Sequence, residues 1–205
     1  VTHGLSVMMT TAHVTAEDCD AALDHIRAAP KDNAAIDHLC FRPESGLRDY
    51  PDHLDMTVSG GIKGERWLTN PWLKLPDGAP DPRIQVSILP RRTYDAVVGR
   101  NDASDLHPGD TIIADMNMAE ANLPTGTLIE AGTAVLRVSD VFNDGCVKWR
   151  ARYGDTAKEW INLPDHIPLR LRGVLCEIVQ SGAIKITVRL VKLPAQATSF
   201  PAFFR

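Results

Sequence analysis

A lone thiol placed just after a turn is the strongest chemical signal in this chain. Cys146 lies in the segment Ser139-Asp140-Val141-Phe142-Asn143-Asp144-Gly145-Cys146-Val147-Lys148-Trp149-Arg150. A strongly β-patterned run over 133–141 delivers the chain to a polar turn, and the thiol follows a glycine. Lys148, Arg150 and Arg152 then come at alternate positions. Neighbouring cations favour thiolate over thiol, and the thiolate is both the nucleophile and the soft-metal ligand. The bland alternative is a buried cysteine acting as a small hydrophobe. Local sequence leaves both readings open.

Other chemistries find little support. The histidines at 3, 13, 25, 38, 53, 107 and 166 show neither H-x-H nor H-E-x-x-H spacing, which argues against a zinc hydrolase. There is no G-x-S-x-G elbow, and the glycines at 60, 61 and 64 do not make a dinucleotide-binding G-x-G-x-x-G. The other cysteines, at 19, 40 and 176, form no C-x-x-C pair, so a zinc ribbon or a cysteine-ligated iron–sulfur cluster is not indicated. Cys19, Cys40 and Cys176 each sit in an apolar pattern and read as core residues. Asp110 and Asp115 read as turn-shaping residues.

The elements that position these groups read as mainly β. Thr15 caps a helix over 15–29, with Glu17 and Asp18 at its positive end and Pro30 stopping it. Strands are expected at 33–41, 55–58, 111–114, 127–130 and 133–141. The run 83–89 alternates and reads as a strand ending at Pro90, with a short helix over 93–98. The second half reads as strand and turn up to residue 155, then a short helix over 155–163. A hairpin is expected with arms 169–179 and 183–193, joined by Gln180-Ser181-Gly182. Many short strands between Gly and Pro turns point to a barrel or sandwich.

Four blocks, in order, resemble the MOSC domain, the module at the C-terminus of molybdenum-cofactor sulfurases that also occurs in stand-alone bacterial proteins. The first is Gly61-Ile-Lys-Gly64-Glu-Arg66-Trp67. The second runs from Gly109-Asp110 through Asp115-Met-Asn117 to Ala121-Asn122-Leu123-Pro124-Thr-Gly126. The third runs from Gly132 to Gly145-Cys146-Val-Lys148 and on to Arg152-Tyr-Gly154. The fourth is Arg170-Leu-Arg172-Gly173 to Gly182. The resemblance covers about 36–193. It divides the chain into an N-terminal extension with one helix (1–35), a MOSC-like β-barrel of mostly antiparallel strands with a few short helices (36–193) and an aromatic C-terminal tail (194–205). Two positions depart from the pattern. Glu65 stands where the family usually has Asp. Asn143 stands where many relatives have a His, which calls into question any proton transfer a histidine would provide there.

The resemblance implies a protein that binds the molybdenum cofactor or handles sulfur, with Cys146 as catalytic thiol and molybdenum ligand. In the mitochondrial amidoxime reducing components the corresponding cysteine ligates molybdenum. The cofactor ends in a phosphate, so Lys63, Arg66, Lys148, Arg152, Arg170 and Arg172 are the candidates to line its approach, and Asn122 to meet a pterin edge. Pyridoxal phosphate is not expected. The plain alternative for each cation is a solvated charge or an ion pair with one of the 26 acidic residues.

Three functions follow. The first is a molybdenum-dependent reductase of N-hydroxylated or similar small molecules. It would take electrons from a partner protein, since no flavin or iron–sulfur site is visible. The second is a sulfurtransferase carrying a persulfide on Cys146 from a sulfur-donor protein. The third is a non-catalytic small-molecule-binding barrel. The 205 residues suit one domain, with or without an embellished end. The net charge of −4 argues against a non-specific nucleic-acid partner. No secretory signal or bilayer-length apolar run is present, so a cytoplasmic setting without a membrane partner is expected. Phe200, Phe203 and Phe204 in the tail read as a packing strap, a pocket lid or a homodimer contact.

Overall fold

The computed structural model describes residues 13–99 and 107–194. The aromatic tail residues 195–205 lie outside the described residues, so the readings placed on them are not addressed by the fold.

Seven strands close into a barrel in the order β1 (Ala34–Leu39), β10 (Arg189–Lys192), β6 (Leu128–Ala131), β7 (Ala134–Val138), β8 (Val174–Gln180), β4 (Val86–Pro90) and β5 (Ile112–Ala114), with β5 returning to β1. Every pairing is antiparallel except β4 with β5. A small sheet of β3 (Gly61–Ile62), β2 (His53–Thr57) and β9 (Gly182–Lys185) stands beside it. The fold is therefore mainly β, the MOSC-like barrel that the resemblance implied.

Among the described residues, four helices dress the barrel: α1 (Ala16–Ala21), α2 (Leu23–Arg27), α3 (Arg91–Val98) and α4 (Val147–Ile161). Thr15 caps α1 in a reciprocal capping box with Asp18. The barrel interior is filled by Ile36, Ile88, Ile112, Leu136 and Ile178 among others. A second core lies outside the wall, where Cys19, Ile26, Leu89, Ile113, Trp149, Tyr153 and Trp160 pack α1, α3 and α4 onto β4 and β5. Among the described residues, no helix is long and apolar enough to cross a membrane.

Three expectations change. The run 83–89 is not an alternating strand. Pro82–Ile84 is a 3-10 turn, and all five residues of β4 are buried, because the strand has the barrel interior on one face and the helical layer on the other. The hairpin at 169–193 does not form either. Its first arm begins as the 3-10 turn Pro164–Leu169, and β8 pairs with β4 and β7. Its second arm splits: β9 joins β2 in the small sheet, and β10 closes the barrel between β1 and β6. Gly173, at φ 87°, makes the corner before β8, where a Cβ would strike the carbonyl oxygen of Ile88.

The third change matters most for the site. Residues 147–154 do not continue as strand and turn but form the first half of α4. The helix is interrupted at Gly154 (φ 87°, ψ 172°), a conformation that L-residues avoid. Trp149, Tyr153, Ala157 and Trp160 nevertheless keep one buried stripe along both halves.

Candidate functional site

Cys146 is the residue immediately before α4, with extended backbone (φ −76°, ψ 177°). It is held from both sides. Asn143 Nδ2 donates to the Arg172 carbonyl at 3.0 Å, and the Gly145 amide donates to Asn162 Oδ1 at 3.5 Å. Cys146 is exposed, whereas the other three thiols are buried. Burial, reinforced by Asp18 and Asp20, pushes Cys19 up to about 11, and burial pushes Cys40 and Cys176 up to about 12. Those three are inert core groups, as their apolar patterns indicate.

Because α4 turns every 3.6 residues, the alternate cations do not share a face. Trp149 is buried in the second core, while Lys148 and Arg152, one turn apart, face a cleft. Arg150 points away and pairs with Asp155 at 2.8 Å. The cleft has a cavity of about 370 Å³. Its wall carries Cys146, Asn143, Asp144, Arg66, Lys148, Arg152, Arg172 and Asp110, with the exposed side chains of Trp72, Phe142 and Val147 on the apolar side.

Arg66 arrives from the glycine turn after β3. Glu65 fixes that turn: it is buried, and its carboxylate accepts from the Arg42 amide at 2.6 Å and Arg42 Nε at 3.3 Å. The acidic position of this turn thus acts structurally, setting Arg66 against Arg42. Arg172 arrives from the corner before β8. Its Nη1 pairs with Asp110 at 2.8 Å, and its guanidinium lies 4.6 Å from the centre of the Trp149 ring. Asp110, read from sequence as a turn former, is a buried carboxylate of this wall. Asp110 Oδ2, Arg172 Nε and Trp149 Nε1 are buried with no hydrogen-bond partner among the described residues. Asp115, by contrast, pairs with Arg92 at 2.7 Å, outside the cleft.

Arg66, Lys148 and Arg152 have no carboxylate within 4.0 Å among the described residues. Arg152 is half-buried, and burial, followed by the nearby Arg48 cation, lowers its pKa from the usual arginine range. A partly buried cation beside another cation is a site that favours an anion.

Three other sequence candidates lie elsewhere. Lys63 is exposed and faces Asp55 at 4.0 Å, because the turn that buries Glu65 leaves it on the outer surface. Asn122 is buried at the end of the barrel, where Nδ2 donates to the carbonyls of Lys31 and Asn117 and Oδ1 accepts from Lys192. Arg170 adopts a left-handed conformation (φ 48°) and donates to the Leu123 carbonyl. Neither Asn122 nor Arg170 lines the cleft. Sequence reasoning missed Arg42, Arg48, Trp72 and Phe142. The only signal for the first two is their spacing around Ser45-Gly46, and an exposed tryptophan is indistinguishable in sequence from a core one.

Among the described residues, no group of three or more His, Cys, Asp or Glu side chains is arranged to hold a metal ion.

No family model matches the chain, and no curated protein matches it. Solved structures do. YiiM from Escherichia coli is 16% identical over 78% of this chain and 69% of its own, with a TM-score of 0.52. YuaD from Bacillus subtilis is 17% identical over 78% of this chain and 94% of its own, also at 0.52. A hypothetical protein of known structure is 17% identical over 78% of this chain and 68% of its own, again at 0.52. What these share with the chain is the fold, a MOSC-like β-barrel.

Proposed function

We propose that this protein binds a molybdenum–pterin cofactor through Cys146 and acts as an oxidoreductase on N-hydroxylated small molecules. The observation that carries this reading is the exposed thiol at the start of α4, opening onto a cleft whose cations Arg66, Lys148 and Arg152 have no carboxylate partner among the described residues. That donor set suits a soft metal centre on a ligand with a phosphate tail. Bound there, the cofactor would supply two-electron redox chemistry at molybdenum.

The chain's own side chains have separable tasks. Cys146 ligates the metal. Arg66, Lys148 and Arg152 hold the phosphate end. Arg172, fixed between Asp110 and Trp149, stiffens the wall. Trp72, Phe142 and Val147 form an apolar lip that orients a small substrate and sheds water. Asn143 commits its amide to the Arg172 carbonyl and has no titratable proton, so the carboxyl groups on the wall are Asp110, paired with Arg172, and Asp144. Electrons come from a donor protein, and the net reaction consumes two electrons and two protons and releases water.

The test is molybdenum content together with fluorescence of the oxidised pterin. Both are measured on protein from a cofactor-making host, with Cys146→Ser alongside. Near-stoichiometric molybdenum that drops to background in the variant is the expected outcome. Full molybdenum in Cys146→Ser, or none in either protein, overturns the reading.

The exposure of Cys146 also favours a second reading, in which the thiol carries a persulfide between a sulfur-donor protein and an acceptor. Incubation with a desulfurase then adds one sulfur to the intact mass, lost on reduction. An unchanged mass rejects it.

A further inference from the structure

The cleft does not end at the thiol. A second cavity, of about 380 Å³, adjoins it between the segment 42–48 and the first turns of α4. The two share Arg42, Arg66, Lys148 and Arg152, but the second has neither Cys146 nor Trp149 on its wall and adds Ser45 and Arg48.

The charge in this outer compartment exceeds what one phosphate balances. Arg42 is answered by Glu65. Arg48, Arg66, Lys148 and Arg152 have no carboxylate within 4.0 Å among the described residues. Glu44, on the same wall, is exposed and forms no ion pair among the described residues. Arg48 Nε is buried with no acceptor among the described residues, and its Nη1 donates to the Gly46 carbonyl at 3.4 Å. Arg152 Nη1 donates to the Lys148 carbonyl at 3.2 Å. A phosphate monoester brings about −1.5 to −2 charges, roughly half of what four unpaired cations ask for. The cations also stand on two walls, Arg48 on the loop and Lys148 and Arg152 on the helix. Two guanidiniums on facing walls suit two linked phosphoryl groups, each offering oxygens to a planar fork.

We propose that the outer compartment is a diphosphate-binding site, occupied by the diphosphate of a nucleoside diphosphate or of a nucleotide-extended form of the cofactor. Only the second source rests on the cofactor reading above. The site itself does not need molybdenum.

The experiment uses the full chain made in a host blocked in cofactor synthesis. Calorimetric titration with inorganic phosphate and with inorganic pyrophosphate, at one fixed low salt concentration, reads the site directly. Pyrophosphate should bind about tenfold or more tighter than phosphate. Arg48→Gln and Arg152→Gln should each weaken pyrophosphate by roughly fivefold or more, while Arg150→Gln, on the opposite face, leaves it unchanged. Equal binding of the two anions by the unsubstituted protein overturns the proposal whether or not the variants fold. So does pyrophosphate affinity unchanged in both Arg48→Gln and Arg152→Gln.

The source is read from protein made in a cofactor-competent host, denatured, with the released molecules identified. A nucleotide released in equal amount with pterin assigns the nucleotide-extended cofactor. A nucleoside diphosphate without pterin or molybdenum assigns the free nucleotide, and the cofactor reading then fails while this one stands. Pterin carrying a single phosphate, together with no preference for pyrophosphate, leaves the cofactor reading intact and removes this one.

Discussion

Two groups of basic side chains in this protein are treated in opposite ways. Around the end of the barrel at Asn122, each is committed to the protein: Arg170 to the Leu123 carbonyl, Lys192 to Asn122 and Arg189 to Asn33. At the head of α4, Arg48, Arg66, Lys148 and Arg152 line adjoining cavities, and none of them forms an ion pair among the described residues. The residue types are the same, so type carries no information about role. The first group supplies donors to carbonyl oxygens of the protein itself. The second leaves positive potential directed at a cavity, a cost in stability that only a ligand relieves.

The largest effect that separates the two comes from replacing Arg66, Lys148 and Arg152 with Gln together. Retention of the anionic ligand should fall by about 4 kcal/mol, roughly a thousandfold. Thermal stability of the ligand-free protein should hold or rise, because like charges are removed. A variant that melts early yet keeps its ligand would erase the distinction.

His107, beside the second group, gives the next effect. Its Nδ1 accepts from the Gly109 amide at 3.0 Å, and its ring meets Tyr50 edge to face. Burial, aided by His38, Arg48 and Arg152 and opposed by Asp110, lowers its pKa to about 4 from 6.5. The unfolded chain therefore binds the proton first. Stability is complete above pH 6.5 and declines as pH falls towards 4, by roughly 3 kcal/mol in all. Denaturant midpoints measured across that window should flatten in His107→Gln. An equally steep loss in the variant would assign the titration to other groups.

Arg170→Ala should behave as the mirror image of the cleft variants. Leaving the Leu123 carbonyl without its donor costs about 1–3 kcal/mol of stability, with molybdenum or pyrophosphate binding untouched. The smallest effect belongs to Lys63→Ala, at an exposed side chain facing Asp55. Stability should move by less than about 0.5 kcal/mol and ligand retention not at all. A clear binding defect there would return Lys63 to the site.

The barrel was largely legible because short apolar, β-branched runs between Gly and Pro turns, such as that ending at Val138, report strands, and Thr15 with Asp18 reports a helix start. The hairpin misled because 182–185 and 189–192 have the pattern of one arm yet serve two sheets, a division that only long-range pairing decides. The head of α4 misled because Gly145 and Gly154 bracket it like turn residues. The helical spacing of Trp149, Tyr153 and Ala157 becomes clear only when read through the break. Cys146, Arg66, Lys148, Arg152 and Arg172 could be grouped through the order of the four blocks. Lys63, Asn122 and Arg170 lie away from that cleft, since side-chain direction at a turn depends on what its neighbours bury. Trp72 had no pattern to announce it, and Arg48 only its spacing from Ser45-Gly46.

Barrel closure has a consequence for how the chain acquires its shape. Ala34 pairs with Leu190, and β10 is the strand that joins β1 to β6. Until β10 leaves the ribosome, both of those strands present open hydrogen-bonding edges. Closure must therefore follow synthesis of nearly the whole described chain, and contacts between positions so far apart in sequence make folding slow. During that interval the exposed edges of β1 and β6 are where a nascent molecule is most open to pairing with another copy of itself.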